Sequence, residues 1–312
     1  VTAISADKPA SEAVIVARGV RKHYGAIAAV DGVDLDIQRG ELFGLIGHNG
    51  AGKSTLFRMM LGLVRLSAGE IRIGGVRVDG GDFRAVRRTV AYLPENVVLY
   101  DNLSGLETLH FFTRLKGLPP QASAPALARV GLADAARRRV GDYSKGMRQR
   151  LGFAQALLGK PRILFLDEPT SGLDPEAIRN FYAILRELQQ EGVTMLISSH
   201  ILAEIQQRVD RLAIMAAGKV QAVGTVQALR ETMALPLRFS VRLAPAALAA
   251  VRSALENLPV SAIEASHDLL TLHCPRPAKM AVLAALLALG DRVRDVSVRE
   301  PSLEDVFFGF AD

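Results

Sequence analysis

The sequence predicts an α/β chain in two parts, a parallel-sheet domain over 13–235 and a smaller α+β domain over 236–312. Three observations predict it. Compact apolar runs alternate with helix-period segments as far as about residue 233, the pattern of strands joined by crossover helices. One of these strands, 42–46, runs straight into a glycine-rich turn followed by a helix pattern. Beyond residue 237 the order changes to strand, helix, hairpin, helix, strand, a βαββαβ unit.

Taken in order, residues 1–12 mix Ser, Ala, Asp, Lys and Pro and are expected as a flexible tail without the apolar core of a signal peptide. Strands are expected at 13–20, 33–37, 41–46, 70–78 with a Gly74-Gly75 turn, and 89–93. Helical patterning fills 104–159, then a buried strand at 162–166, a helix at 175–191 and a strand at 194–198. A strand pair at 212–216 and 219–223 turns around Gly218. The tail reads as strand 238–243, helix 245–258, hairpin 262–274, helix 276–289, strand 293–299 and a last helix at 302–308. That order resembles a ferredoxin-like domain.

Composition narrows the function classes. The chain has 38 Lys+Arg against 32 Asp+Glu, and its one basic run, Arg137 to Arg139, has no interleaved aromatics, so stacking on nucleic-acid bases is not expected. Cys274 is the single cysteine, which excludes an intrachain disulfide and a multi-cysteine metal site. Its neighbour His273 points to the opposite face of the same strand, so the two do not form a copper site. The longest apolar stretch, 280–289, has ten residues against the roughly 20 that cross a bilayer, so work across a membrane would need another chain.

The chemistry starts at Gly47-His-Asn-Gly-Ala-Gly-Lys-Ser-Thr (47–55), which fits the phosphate-loop pattern G-x-x-x-x-G-K-[ST] in the required strand–turn–helix setting. Gly47, Asn49, Gly50, Ala51 and Gly52 let backbone N–H groups converge on phosphates, and the helix N-terminus adds positive dipole. Lys53 is expected to reach the β- and γ-phosphates, the Ser54 hydroxyl to ligate Mg²⁺, and Thr55 to contact the nucleotide beside it. This much leaves kinases, GTPases and many ATPases open. Arg-Ile-Leu-Phe-Leu-Asp-Glu (162–168) narrows it, because two carboxylates ending a buried strand are costly unless a cation or catalysis uses them. Asp167 is the candidate Mg²⁺ carboxylate and Glu168 the candidate general base.

Between these elements lies Asp-Tyr-Ser-Lys-Gly-Met-Arg-Gln-Arg-Leu (142–151), with Ser144 placed to cap a helix. Here the chain resembles the ABC ATPase family, whose signature precedes the second carboxylate motif by about this interval. The resemblance covers 14–230 and implies a RecA-like core, an antiparallel β subdomain and a helical subdomain. It implies that Ser144 and Gly146 face the γ-phosphate held by a second copy, so that two chains pair head to tail around two ATP molecules. It implies that Ser-Gly-Leu-Asp (171–174), ending in Asp174, links the two sites, that His200 contacts the γ-phosphate, and that Tyr24 stacks on adenine. Two positions depart from the family pattern. Glu95 stands where the family carries a glutamine; its carboxylate can still bind Mg²⁺ but adds charge beside another carboxylate, against a water-positioning role. Lys145 and Met147 stand where Gly and Gln are commoner.

Several spellings, at 92–97, 103–109, 114–117 and 143–152, are similar to the ATPase subunit of the nitrous-oxide reductase maturation transporter. That resemblance implies two copies of this chain at the cytoplasmic face of a membrane, driving an integral membrane subunit with a periplasmic accessory protein that helps build a copper–sulfur centre. The same spellings overlap with exporter-type ATPases for drugs, lipids and polysaccharides, and Glu-Pro-Ser-Leu-Glu-Asp-Val-Phe (300–307) resembles the tail motif of that wider group. A non-transport ABC ATPase is the further alternative, although such proteins usually carry a coiled-coil insertion or two nucleotide-binding domains, and neither is present in these residues. A ligand-sensing tail over 237–312 is also open.

Overall fold

The computed structural model describes residues 13–232, 236–266 and 268–299. The expected N-terminal tail, the last helix and the 300–307 motif lie outside them. The chain divides into two compact units, Val1–Val226 and Gln227–Asp312, nine residues earlier than the sequence boundary at 235. Helix α8 (Val226–Thr232) begins at this division.

The first unit holds two sheets. One is antiparallel, in the order β2 (Ile27–Gln38), β1 (Ala13–Tyr24), β4 (Ala68–Ile73), β5 (Val76–Arg77). The other has the order β10 (Lys219–Gly224), β9 (Arg211–Ala216), β3 (Leu42–Ile46), β8 (Thr194–Ser199), β7 (Ile163–Leu166), β6 (Val90–Leu93). From β9 to β6 the neighbours are parallel, and β10 alone is antiparallel. Every residue of β3, β7 and β8 is buried. A parallel strand covered on both faces needs a continuous apolar run, which is why these three were readable.

The first hairpin was less legible: β1 and β2 extend to Tyr24 and from Ile27, well past the expected 20 and 33. The pairing slips register between Ala17 and Val20 and again between Val20 and Lys22. Each slip resets the two-residue alternation, so no single period marks the strand. Tyr24 pairs with Ile27 across a turn at Gly25, whose φ of 58° lies in the left-handed region that glycine tolerates.

Helix α1 (Lys53–Met60) leaves β3 through the phosphate loop. The short α2 (Phe83–Arg87) precedes β6. Helices α3 (Gly105–Leu115), α4 (Ser123–Arg129) and α5 (Lys145–Leu157) make the helical stretch. Its start is fixed by a reciprocal cap, in which Ser104 Oγ accepts the Glu107 N–H at 3.2 Å while Glu107 accepts the Ser104 N–H at 2.8 Å. Helix α6 (Pro175–Gln190) has Asp174 as its cap and Pro175 in its first turn, and α7 (Leu202–Ile205) follows β8.

In the second unit the strand order is β12 (Ser261–Ser266), β13 (Leu269–Cys274), β11 (Leu237–Leu243), β14 (Val293–Arg299), all antiparallel. Helices α9 (Leu248–Leu255) and α10 (Lys279–Leu287) complete the expected βαββαβ order, each shorter than the sequence pattern. In β11, Leu237, Phe239, Val241 and Leu243 are buried while the residues between them are not, so one face of the sheet packs the core. Among the described residues no helix is long and apolar enough to cross a membrane.

Candidate active site

Three chemically loaded segments leave the carboxyl ends of three adjacent parallel strands. The phosphate loop follows β3, Asp167 and Glu168 follow β7, and His200 follows β8, which lies between them. Parallel α/β sheets bind ligands at this edge, where loops meet around helix N-termini. A cleft of about 410 Å³ opens there. It is lined by His48, Asn49, Gly50, Ala51, Gly52, Lys53, Ser54 and Thr55 from the loop, by Glu95 and Glu168, and by Ala29 from β2.

Two glycines of the loop are required by space. A Cβ on Gly47 would lie 2.4 Å from the Met215 carbonyl oxygen, and one on Gly52 would lie 2.3 Å from that of Ala29. Gly52 also has φ 101°, and it caps α1 without a side chain. The first N–H groups of α1 therefore face the cleft with no capping side chain, which is the arrangement that receives an anion.

Lys53 is buried, and its ammonium donates to the carbonyl oxygens of Gly47 and, at 3.3 Å, His48. It also lies 3.2 Å from Glu168 Oε1. The other oxygen, Oε2, is 2.8 Å from His200 Nδ1. Glu168 is thus held between a cation and an imidazole, and its own backbone is left-handed at φ 46°. A buried carboxylate needs such partners, because burial without them costs several kcal/mol. The exposed ring of His200 and the buried ammonium of Lys53 bring three of the expected catalytic side chains together.

Asp167 sits one residue back. Its Oδ1 accepts from Ser54 Oγ at 3.2 Å and from Ser198 Oγ at 2.7 Å, and its Oδ2 accepts from Tyr92 at 3.2 Å. Burial, with the negative charge of Asp167 beside it, pushes the Tyr92 phenol up to about 12, so it stays a donor at neutral pH. A hydroxyl and a carboxylate oxygen converging beside a phosphate cleft fit a small hard cation such as Mg²⁺, which is bound by oxygen.

The other predicted residues lie elsewhere in the first unit. Ser144 caps α5, accepting the Met147 N–H at 3.2 Å, and is exposed. Gly146 packs against the 171–174 segment, where a Cβ would approach the Gly172 carbonyl at 3.2 Å, and Lys145 Nζ reaches Ser171 Oγ at 3.3 Å. Asp174 accepts the Ala177 N–H at 2.8 Å as the cap of α6. Tyr24 stands half exposed at the tip of the β1–β2 hairpin with the Lys22 ammonium 4.9 Å from its ring. None of these four, Ser144, Gly146, Asp174 or Tyr24, lines the cleft.

Sequence reading passed over Ser198 and Tyr92 as site residues. Ser198 did carry a signal, because Ser-Ser at 198–199 ends an otherwise apolar buried strand. Tyr92 carried none, since a tyrosine in a strand is ordinarily packing.

A sequence profile for the family described as ABC transporter matches residues 30–171. The chain is 37% identical over 305 residues to the daunorubicin resistance ATP-binding protein DrrA3 of Streptomyces coeruleorubidus, covering 95% of each. It is 34% identical to the doxorubicin resistance ATP-binding protein DrrA of Mycobacterium tuberculosis, covering 94% of this chain and 92% of that one. Among solved structures, an ATP-binding subunit of an ABC transporter matches with a TM-score of 0.65 and 33% identity, over 70% of this chain and 93% of that one. The strand-end cleft, the Lys53–Glu168–His200 cluster and likeness over 95% of the chain agree: this protein belongs to the ABC transporter family as an ATP-binding, ATP-hydrolysing subunit.

Proposed function

We propose that this chain powers an exporter for amphiphilic drug-like molecules, working as a head-to-tail pair beneath a separate membrane subunit. The observation that carries the pairing is the position of the signature: Ser144 is exposed and Gly146 partly so, and neither borders the cleft of their own chain. The N-terminus of α5 at Ser144 is then free to meet a phosphate presented by a second copy. The relatives' names, daunorubicin and doxorubicin resistance, supply the cargo class.

In this reading the loop N–H groups and Lys53 bind the triphosphate, and Tyr24 stacks on the adenine. As phosphate oxygens draw the Lys53 ammonium away, Glu168 Oε1 is left to accept a proton from water. The water oxygen bonds to the γ-phosphorus as the bond to the bridging β,γ-oxygen breaks, and ADP leaves with that electron pair. His200, on Oε2, orients the carboxylate. Ser54, Asp167 and Glu95 are the residues that would hold Mg²⁺, whose chemistry there is to neutralise phosphate charge.

A surface for the membrane partner is offered by the apolar side chains Val98, Tyr100, Phe111 and Leu115, with Val98 90% and Leu115 68% exposed. It is tied to the signature, because Arg148 of α5 pairs with Asp101 at 2.7 Å and Val97 packs over Gly152. Movement of the patch would reach Ser144 through these two links. Cytoplasmic placement at the inner membrane face follows from that partner.

The maturation of nitrous-oxide reductase, with a periplasmic accessory protein, is the second reading, favoured by the spellings at 92–97 and 143–152. Glu168→Gln tests the shared mechanism: hydrolysis is lost and an ATP-bound dimer accumulates on size-exclusion chromatography. A strictly monomeric variant with ATP bound rejects the pairing. Anthracycline uptake by inverted vesicles holding the chain and its membrane partner separates the two readings, since a maturation system gives none.

A further inference from the structure

Asp167 is not held by the phosphate loop alone. Three hydroxyls from three elements converge on its carboxylate: Ser54 from α1 and Ser198 from β8 on Oδ1, and Tyr92 from β6 on Oδ2. Ser198 makes a second bond, accepting the Glu168 N–H at 2.9 Å. One hydroxyl therefore spends its proton on one acid and a lone pair on the backbone of the next. That backbone is left-handed, a conformation a non-glycine residue keeps only where its surroundings over-determine it. Ser198 has no exposed surface, so bulk water cannot stand in for its hydroxyl. Two residues further along the chain is His200, which holds the Glu168 side chain from the other end.

We propose that Ser198 and Tyr92 are positioning residues for ATP hydrolysis, their hydroxyls aiming the Asp167 carboxylate at the cation that accompanies ATP while Ser198 also sets the backbone of Glu168. The proposal rests on the reading of Asp167 as cation ligand and Glu168 as base given above. The two hydroxyls have separable duties. Of the two acids Tyr92 touches only Asp167, its hydroxyl also meeting Arg58, so its loss loosens the cation site and leaves the Glu168 backbone in place. Ser198 touches both acids, so its loss loosens the cation site and releases the strained backbone that presents the base. Groups behind a metal ligand commonly contribute about 10- to 100-fold in metal affinity.

The test is a Mg²⁺ titration of the full chain, reading binding of a fluorescent ATP analogue, with the same binding in EDTA and hydrolysis at saturating Mg²⁺ measured beside it. The variants are S198A, Y92F and S198T, the last keeping the hydroxyl. In S198A and Y92F the Mg²⁺ half-saturation rises about tenfold or more, while analogue binding in EDTA stays within about twofold. At saturating Mg²⁺ the kcat of S198A falls about tenfold or more, that of Y92F falls less, and S198T recovers toward wild type. An unshifted half-saturation in both S198A and Y92F overturns the proposal. If S198A also loses binding in EDTA, it has lost its fold, and Y92F alone decides: a shift of about tenfold sustains the proposal and an unshifted value rejects it. A wild-type chain that binds and hydrolyses ATP without Mg²⁺ fails the underlying reading of Asp167, and the proposal with it.

Discussion

The two units of the chain spend their interiors differently. Among the described residues every buried polar or charged side chain lies at or before Ser199, and the first unit's parallel sheet ends in a buried cluster of Lys53, Asp167, Glu168 and Ser198. The core of the second unit consists of Leu, Val, Phe and Ala with Cys274, whose thiol burial pushes up and which packs as a small hydrophobe. Buried polar groups destabilise a fold unless each is paired, so they persist where chemistry requires them. The contrast places the buried polar chemistry of the described residues in the first unit.

Glu168→Gln probes that contrast most strongly. Hydrolysis falls by roughly 10²–10⁴ while the thermal midpoint stays near wild type, because the amide keeps the volume and loses the base. An unchanged rate would break the assignment. Phe239→Ala, at the centre of the second core, removes about 3–5 kcal/mol from that unit, read as faster hydrogen exchange across 237–299. Nucleotide binding should survive it, and its loss would break the division of labour. Gly52→Ala has a smaller energetic effect, about 1–3 kcal/mol of backbone strain, but it is placed at the cleft. Nucleotide affinity drops while hydrogen exchange in the second unit is unmoved.

The smallest effect belongs to the cap of α3. Ser104→Ala costs about 1 kcal/mol of stability in the first unit, read by denaturant midpoint. The cap is also pH-dependent. Hydrogen bonds from the Ser104 N–H and hydroxyl hold the Glu107 carboxyl below its ordinary value of 4.5. The contribution is complete above that value and is lost as pH falls through the depressed one, so Ser104→Ala should cost less in acid than at neutral pH. A constant difference would show that the Ser104 hydroxyl does not hold the Glu107 carboxylate.

Legibility followed the range of the interaction. The phosphate loop, the cap at Ser144, and the runs of β3, β7 and β8 were readable because each is set by neighbours in the chain. The β1–β2 hairpin was half hidden by its register slips, and α9 and α10 were overestimated because 245–247 and 276–278 turn before the helices begin. Glu95 was readable as an odd residue in a known place, and the cleft does include it.

By itself the sequence determined the class of the protein: which strands are buried on both faces, where phosphate meets a helix N-terminus, and which acids follow the buried strand. These depend on contiguous residues, on steric limits of glycine and on short hydrogen bonds. Tertiary structure alone decided that Tyr92 and Ser198 join Ser54 and Asp167, because β3, β8, β7 and β6 lie side by side in an order that is not their order along the chain. It decided equally that Ala29 closes the cleft and that Ser144 stands outside it. Strand order is set by burying whole faces of a sheet together, and no local stretch of sequence contains that sum.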